Sequence, residues 1–517
     1  MAKPYYITTP IYYVNDKPHI GHAYTTLACD VLARFKRLDG FDVTFLTGTD
    51  EHGQKVEKAA FNRGVSPQDF TNEVSQNFRD LTDQMNFSND DFIRTTETRH
   101  KLACQEMWNR LQTLGHIRLG NYAGWYSVRD EAFFTESELV DGKAPTGAPV
   151  DWVEEPSYFF NLSQWQQPLL DFYEANPNFV GPESRFNEVK SFVKGGLRDL
   201  SVSRASFKWG IPVPDDSDHV MYVWLDALTN YITASGWPTD TELGDLAKYK
   251  KLWPADLHMV GKDILRFHAV YWPAFLMAAE LPLPKRVFAH GWWTNEGQKI
   301  SKSLGNVIDP TALTAQYGLD HTRYFLMREV PFGNDGDFSA AAITHRMNGD
   351  LANDLGNLCQ RVLSMICKNC DGVMPALPLE PIDTDQGLLS AVDGLLDQVR
   401  DLLDRQAFNE ALRVIWQVVS DANRYVDSSA PWALKKTDPV RMAEVLAVLA
   451  ETIRQIAILT QPVMPQSACM ILDQLGVDMA NRDFSVIAGK GRLASGHQIG
   501  KPSPIFPRYI EEGSTDG

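Results

Sequence analysis

Two short clusters in the sequence carry side chains suited to binding phosphate. The first, Pro18-His19-Ile20-Gly21-His22, opens a run of apolar residues at helical spacing, so its two imidazoles are predicted to lie at a helix N-terminus. The N–H groups and the dipole at such an end favour an anion, and the imidazoles can hydrogen-bond to phosphate oxygens. Gly21 leaves room for a planar base to approach the backbone. Taken alone, these residues are explained equally well by a turn with hydrogen-bonded histidines.

The second cluster is the basic loop from Gly297 to Gly305, which contains Lys299 and Lys302. Glycines at both ends allow the loop to move, and its two ammonium groups are placed to close over a polyphosphate. A loop of this composition by itself is more often solvated surface. The two clusters in this order on an α/β framework are much more specific than either one.

The segments around these clusters predict the framework. Residues 5–14 are rich in β-branched and aromatic side chains, residues 19–38 follow with helical spacing, and a second apolar run ends at Asp50. This is how a parallel α/β sheet begins, and ligands bind at the carboxyl ends of its strands. Neither a P-loop nor a Gly-x-Gly-x-x-Gly fingerprint is present, so the fold alone does not imply NAD.

Later segments complete the predicted organisation. Strand-like runs return after a Gly- and Pro-interrupted, aromatic region, and long helical patterns without strand signals then follow. We expect the sheet domain at 1–117 and 218–290, an inserted subdomain at 118–217, the basic-loop region at 291–345, a helix bundle at 346–475 and a tail at 476–517.

Composition limits the function classes. The 517 residues are 44% hydrophobic and carry a net charge of −17, which indicates a globular protein and excludes one that coats nucleic acid non-specifically. No apolar stretch approaches the ~20 residues that span a bilayer, and no signal peptide is visible, so we expect a cytoplasmic location. Six cysteines are too few for a disulfide framework, and the one close pair, Cys367 and Cys370, has no second pair for zinc.

A family resemblance joins these observations. His19-Ile20-Gly21-His22 and Lys299-Ile300-Ser301-Lys302-Ser303 resemble the HIGH and KMSKS signatures of class I aminoacyl-tRNA synthetases, with Ile300 in place of the more usual Met. Segments around Tyr13, Asp50, Trp224 and Asp263 are similar to those of the methionyl-tRNA synthetase family, and the similarity runs from about residue 4 to 475. It implies a Rossmann-type catalytic domain with a connective insertion, followed by an all-α anticodon-binding bundle.

The resemblance implies ATP-dependent activation of methionine and its transfer to tRNA(Met). It assigns catalysis to His19, His22, Lys299 and Lys302. The implied ATP-binding residues are His19, Gly21, His22, Gly261, Asp263, Ile300 and Lys302, and Mg2+ would accompany the ATP. Since a carboxylate is already a nucleophile, positioning and charge neutralisation are what the reaction needs.

The same resemblance implies a methionine pocket. Its residues are Ile11, Tyr13, Asp50, Trp224, Ala227, Leu228, Tyr231, Ile264 and His268, with Phe267 and Trp272 as mobile aromatics. Asp50 would pair with the substrate ammonium, and an aromatic pocket suits a polarizable thioether. Without the resemblance, Trp224, Leu228 and Tyr231 at i, i+4 and i+7 are an ordinary core stripe.

In the bundle, Asn357, Arg361 and Trp432 match the family's anticodon-reading positions. Stacking on an aromatic ring and hydrogen bonds from Asn and Arg are how proteins read unpaired RNA bases. The implied partners are therefore methionine, ATP and both the acceptor end and the anticodon of tRNA(Met), with a monomer as the simplest state.

The sequence departs from many relatives at one point. Gly124-Trp125-Tyr126 is not followed by the Cys-x-x-Cys of a zinc knuckle, and no cysteine occurs from Gly115 to Ser217. We therefore expect no zinc in the insertion.

Two alternatives remain open at this stage. A class I synthetase for leucine, isoleucine or valine would carry a large editing insertion, for which 118–217 leaves little room. A catalytically silent RNA-binding paralogue would keep Trp432 and lose the phosphate-binding groups, yet both clusters are intact.

Overall fold

The structure, a computed structural model, describes residues 2–14, 17–129, 132–134, 136–300, 305–489 and 491–510. Contacts divide the chain into two compact units. The sheet unit comprises Pro4–Pro18 and Thr44–His290, and the helical unit falls within Met1–Lys3, His19–Val43 and Gly291–Gly517. Among the helices described, none combines the length and the apolar character that crossing a membrane would require.

The sheet unit alternates strands with helices. Its strands are β1 (Pro4–Tyr13), β2 (Asp42–Asp50), β3 (Asp91–Arg94), β4 (Ile117–Ser127), β5 (Ala132–Phe134), β6 (Asp151–Phe160), β7 (Val180–Gly181), β8 (Leu200–Ser201), β9 (Ser203–Arg204), β10 (Pro212–Val213), β11 (Asp216–Met221), β12 (Leu257–Gly261) and β13 (Val287–His290). Its α-helices are α2 (Gln54–Arg63), α3 (Pro67–Gln84), α4 (Thr98–Thr113), α5 (Gln166–Ala175), α6 (Glu183–Lys194), α7 (Val223–Ala234), α8 (Leu246–Leu252) and α9 (Trp272–Ala278).

Six strands form the central sheet, in the order β3-β2-β1-β12-β13-β7. β1, β12, β13 and β7 run parallel, as do β2 and β3. The carboxyl ends of β1 and β12 therefore share one edge, which places Tyr13 and Gly261 there. Asp50 joins them, because the Val14 N–H donates to the Asp50 carbonyl at 3.1 Å. This edge is where an α/β sheet binds ligands.

Residues 117–221 add a second, antiparallel sheet in the order β5-β4-β6-β8 and a small sheet of β10, β11 and β9, so the small sheet extends past the predicted boundary at 217. Val180 and Gly181, although they lie within this range, pair with β13 and form an edge of the central sheet. Tyr173 packs into the same core cluster as Trp108 and Phe275. The segment is thus joined to the sheet unit by a shared core.

The helical unit contains the remaining strands and α-helices. They are α1 (Ile20–Leu38), β14 (Trp293–Asn295), β15 (Gln298–Lys299), α10 (Pro310–Tyr317), α11 (Leu319–Arg328), β16 (Gly336–Phe338), α12 (Ala340–Arg346), α13 (Asn357–Asn369), α14 (Asp383–Asp393), α15 (Leu395–Asp404), α16 (Phe408–Ser429), α17 (Pro431–Thr437), α18 (Pro439–Thr460) and α19 (Pro465–Gln474). A π-helical stretch, Met347–Gly356, joins α12 to α13. α18 starts at an Asp438 N-cap with proline in its first turn and is buried along most of its length. It forms the centre of the bundle.

The first long helix of the chain packs inside this unit. Asp30 of α1 and Arg323 of α11 form an ion pair at 2.6 Å in which neither side chain is exposed to solvent. Arg323 also donates to the carbonyls of Pro462 and Val463, just after α18. The Arg323 guanidinium therefore links α1 to the segment that follows α18. The predicted α/β framework followed by a helix bundle is confirmed.

Candidate functional site

The first turn of α1 holds the two predicted imidazoles against each other. The ring centroids of His19 and His22 lie 3.9 Å apart with an interplanar angle of 27°. The Gly21 N–H donates to His19 Nδ1, and the His19 N–H donates to His22 Nδ1, both at 3.1 Å. These bonds cap the helix and leave Nε2 as the protonated nitrogen of each neutral ring. Two N–H donors are thus held at a helix N-terminus, as an anion site requires.

The electrostatics of this turn keep at least one ring neutral. Burial, and next the neighbouring His19, lower the pKa of His22 well below its usual range. No acidic side chain lies in the first turn of α1. Because the His22 ring stays neutral, it keeps one N–H, at Nε2, and one acceptor, at Nδ1, over the physiological pH range. Its hydrogen-bonding pattern at the helix N-terminus therefore does not change with pH in that range.

The basic loop starts from a tight hairpin. β14 and β15 are joined by Glu296 and Gly297, both at positive φ of 50° and 73°, as a two-residue primed turn requires. Lys299 ends β15, is exposed, and lies 5.8 Å from the Trp292 ring centroid. Ile300 is described and half-buried, whereas Lys302 lies outside the described residues.

Two asparagines tie the ends of this loop together, and sequence reasoning missed both. Asn306 Nδ2 donates to the Lys299 carbonyl at 3.1 Å, and Asn295 Nδ2 donates to the Asn306 carbonyl at 3.0 Å. Two residues later, the Ile308 carbonyl accepts a hydrogen bond from the Ile20 N–H at 3.1 Å. The end of the loop is therefore bonded to the first turn of α1, so the two predicted phosphate clusters belong to one unit. An amide side chain directly after the loop glycine was the available sequence signal.

In the sheet unit, three of the predicted methionine residues lie at the carboxyl edge of the sheet. Asp50, 6% exposed, ends β2. Ile11 and Tyr13 are half-buried near the end of β1, and Lys55 lies 5.6 Å from the Tyr13 ring centroid. Burial of one carboxylate at a strand end suits the recognition of an ammonium group.

Aromatic rings form a wall of this site. Trp224 and Phe267 stack with centroids 3.3 Å apart and an interplanar angle of 10°. Ala227, Leu228 and Tyr231 are buried along α7, and Leu228 and Tyr231 pack in the core cluster, so the stripe is core as well as candidate pocket. Trp272 is fully buried in the same cluster.

A hydrogen-bonded chain fixes the far end of this wall. His268 Nδ1 lies 2.9 Å from the Ile264 carbonyl, and its Nε2 lies 2.6 Å from the Tyr231 hydroxyl. Because a carbonyl only accepts, Nδ1 carries the proton and Nε2 accepts from Tyr231. Burial lowers the pKa of His268 to about 4, so the ring is neutral at pH 7. The tyrosine hydroxyl is therefore locked in one orientation.

Gly261 and Asp263 lie close together in space at the end of β12, with Lys262 between them in the sequence. A Cβ atom at Gly261 would lie 2.5 Å from Asp263 Oδ1, so a larger residue would displace the carboxylate. Asp263 is exposed, in the short turn Lys262–Ile264. A carboxylate placed this way can accept hydrogen bonds from a ribose.

The bundle brings two of the three predicted RNA-reading residues together. Arg361 of α13 lies with its guanidinium carbon 5.5 Å from the ring centroid of Trp432, at the start of α17. The same guanidinium binds Asp427 Oδ1 at 2.7 Å. Trp432 is 50% exposed, so packing in the core does not explain it. Asn357 is exposed one turn before Arg361.

At the position where a zinc knuckle was considered, β4 carries an aromatic pair. Trp125 faces Trp152 of β6 edge to face, with centroids 5.4 Å apart, in register across the two strands. Indole rings are not metal ligands, and thiolates are missing from this part of the sequence.

Comparisons with known proteins cover nearly the whole chain. The family of class I tRNA synthetases (M) matches residues 5–149 and 138–363, and the anticodon-binding domain of methionyl tRNA ligase matches residues 380–516. The methionine–tRNA ligase of Rickettsia felis is 59% identical over 512 residues, 98% of this chain and 99% of that protein. That of Rhizobium meliloti is 56% identical over 515 residues, again 98% and 99%.

Solved structures give the same result. Methionyl-tRNA synthetase from Mycobacterium tuberculosis in complex with methionyl-adenylate superposes with a TM-score of 0.94 at 53% identity, covering 98% of this chain and 100% of that one. Its apo form superposes with a TM-score of 0.88 at 51% identity, covering 99% of both chains.

Proposed function

Because the chain belongs to the methionyl-tRNA synthetase family, we infer that it activates methionine with ATP to methionyl-adenylate and transfers the methionyl group to tRNA(Met). The observation that carries this within the structure is the capped N-terminus of α1. There, His19 and His22 each use Nδ1 to accept a main-chain N–H, which leaves Nε2–H as the donor to phosphate. Membership of this family also excludes the leucine, isoleucine and valine enzymes.

Activation requires little covalent chemistry from the protein. The methionine carboxylate attacks the α-phosphorus of ATP and expels pyrophosphate, so no general base is needed. His19 and His22 donate hydrogen bonds to phosphate oxygens, while Lys299 and Lys302 neutralise charge on the leaving group. Gly261 and Asp263 hold the ribose. Mg2+ enters with ATP as part of the substrate.

Methionine is recognised at the carboxyl edge of the sheet. We assign the ammonium to Asp50, and the thioether to the wall formed by Trp224, Tyr231 and His268. Sulfur packs favourably against aromatic rings, by about 0.3 to 1.5 kcal/mol. The neutral His268 supports this assignment, since a charged ring would disfavour an apolar side chain.

The transfer step places the acceptor end of tRNA(Met) at the adenylate while the bundle reads the anticodon. We assign base stacking to Trp432 and base-edge hydrogen bonds to Arg361 and Asn357. The exposure of Trp432 and the guanidinium beside it support this assignment.

Three further features complete the proposal: the enzyme acts in the cytoplasm, works as a monomer, and holds no structural zinc. The absence of thiolates from residues 115–217 supports the last of these. Elemental analysis of purified protein should find less than stoichiometric zinc, and one zinc per chain would contradict the proposal.

Amino-acid-dependent exchange of pyrophosphate into ATP tests the function. Each of the twenty standard amino acids is supplied separately, and we expect methionine alone to support rapid exchange. Charging of tRNA(Met) transcripts with labelled methionine tests the second step. A response to leucine in place of methionine, or exchange without charging, would contradict the proposal.

A further inference from the structure

A buried carboxylate on α7 lies directly behind the methionine residues. Asp226 is 1% exposed and lies on α7 between Trp224 and Ala227, two of the residues assigned to methionine. At 100° per residue, its side chain leaves the helix on the side opposite that of Trp224. It therefore belongs to the layer that supports the pocket.

Asp226 binds two histidines from two other elements. Its Oδ2 lies 2.7 Å from His52 Nδ1, and its Oδ1 lies 2.8 Å from His100 Nε2. His52 follows β2, two residues after Asp50, and His100 belongs to α4. One carboxylate thus connects α7, α4 and the segment after β2, which follows Asp50, the residue assigned to the substrate ammonium.

The protonation states in this cluster follow from its hydrogen bonds. Burial raises the pKa of the Asp226 carboxyl, but His52 and His100 outweigh this effect and hold the pKa well below its usual range. An ionised carboxylate only accepts, so His52 Nδ1 and His100 Nε2 both carry protons. Cys104 completes the cluster: burial raises its pKa, so it remains a thiol, and it donates to the Asp226 carbonyl at 3.7 Å.

His100, Cys104 and Asp226 have the residue types of a metal site, but their spacing is that of hydrogen bonds. Two ligands bound to one tetrahedral zinc at ~2.0–2.2 Å are about 3.3 to 3.6 Å apart. The 2.8 Å between His100 Nε2 and Asp226 Oδ1 is shorter and fits a shared proton.

We propose that Asp226 is a positioning residue for methionine activation: through His52 it sets the distance between Asp50 and the aromatic wall on α7. This rests on the proposed function, in which Asp50 binds the ammonium and Trp224 and Tyr231 bind the side chain. Asp226 does not touch the substrate. It fixes the two ends of the pocket relative to each other, which is what simultaneous binding of both ends of methionine requires.

The test replaces the carboxylate by an amide, which keeps the size of the side chain. In Asp226→Asn the amide nitrogen faces an imidazole N–H, so one of the two hydrogen bonds is lost and two donors oppose each other. We expect Kd and KM for methionine to rise on the order of tenfold or more, since small misplacements are costly, and KM for ATP to stay within about twofold.

Asp385→Asn is the matched control. Asp385 is equally buried and accepts hydrogen bonds from Arg441 and Tyr425 in the bundle. The variant should lose stability, measured by urea unfolding, without any change in methionine Kd.

Isosteric replacement of the histidines tests the geometry atom by atom. An Asn amide nitrogen occupies roughly the place of histidine Nδ1, and a Gln amide nitrogen that of Nε2. His52→Asn and His100→Gln therefore preserve the bonds to Asp226, and His52→Gln and His100→Asn remove them. We expect the first pair to keep methionine Kd within a few-fold of wild type and the second pair to resemble Asp226→Asn.

Isothermal titration of methionine into wild type and variants separates the possible failures. Wild-type protein that binds no methionine would overturn the proposed function, and this inference with it. If the wild type binds methionine and a folded Asp226→Asn binds it equally well, only the positioning role is overturned. Equal losses in both pairs of histidine variants would also overturn it, because bulk packing rather than the hydrogen bonds would then explain the effect.

Discussion

Replacement of Gly21 by alanine should separate catalysis from stability at the start of α1. A Cβ atom at this position would lie 2.9 Å from His19 Cε1 and 3.1 Å from His19 Nδ1. Non-bonded carbon atoms prefer about 3.5 to 4.0 Å, so the His19 ring must turn away. As it turns, its Nδ1 gives up the hydrogen bond from the residue 21 N–H, and its Nε2–H leaves the phosphate position.

The expected change in stability is small because two effects oppose each other. Loss of the side-chain cap costs about 1 kcal/mol. Alanine in place of glycine in a helix favours folding by up to about 1 kcal/mol. We expect the free energy of unfolding of Gly21→Ala to stay within about 1 kcal/mol of wild type, as measured by urea denaturation.

The expected change in activation is large, because nothing offsets the displaced donor. A misplacement on the order of 1 Å can cost about 10² in rate, and we expect adenylate formation in single-turnover experiments to slow by that order. If the displaced ring is the cause, Gly21→Ala combined with His19→Ala should be no slower than His19→Ala alone.

Gly387→Ala provides the control for this prediction. Gly387 lies in α14, and an added Cβ there would meet no atom within 4 Å other than its chain neighbours and the backbone of its own helix, so this variant should be slightly more stable than wild type and fully active. Adenylate formation by Gly21→Ala within threefold of wild type would refute the assignment of His19 to phosphate.

Three other predictions concern separate parts of the molecule. Lys302→Ala should slow adenylate formation by on the order of 10², as for loss of a preorganised charge, with equilibrium methionine binding unchanged; a change of only a few-fold would contradict its role. Trp432→Ala should lower tRNA charging by about tenfold to a hundredfold, the effect of losing a 1 to 3 kcal/mol base stack, with pyrophosphate exchange unchanged. A parallel fall of both activities in folded protein would argue against stacking. Burial lowers the pKa of His268 to about 4, below the unfolded value of about 6.5, so the unfolded chain binds the proton first and stability is lost as pH falls between these values. Between pH 7 and pH 5 the free energy of unfolding, measured with urea, should therefore fall by about 2 kcal/mol less in His268→Gln than in wild type. Equal falls in the two proteins would contradict this prediction.

Spacing in the sequence predicted which candidate-site residues lie side by side where those residues are near one another in the chain. Spacing alone predicted that His19 and His22 share one helical turn and that Trp224 and Tyr231 share one face of α7. It did not assign their roles, because a capped turn and a core stripe explain the same spacing; the family resemblance assigned these residues to ATP and methionine. The fold class also followed from spacing, because apolar periodicity changes from strands to helices along the chain.

The supporting contacts could not be predicted, because they join residues far apart in sequence. Asp226 meets His52 across 174 positions and His100 across 126. Nothing local distinguishes Asp226 from a solvated aspartate; only the packing of α7 against α4 buries it. The bond from Ile20 to Ile308 depends on the same kind of long-range closure.

The buried pair of Asp30 and Arg323 determines how this enzyme can be recombined with its relatives. A hybrid that took only residues 291–517 from another synthetase would keep Asp30 but replace the helix that carries Arg323, and a buried Asp30 left without a matched cation costs about 3 to 5 kcal/mol. The stretch His19–Val43 belongs to the same compact unit as those residues. Crossover points that transplant both stretches together preserve the pair, so anyone grafting a new anticodon specificity inherits the donor's histidine helix along with it.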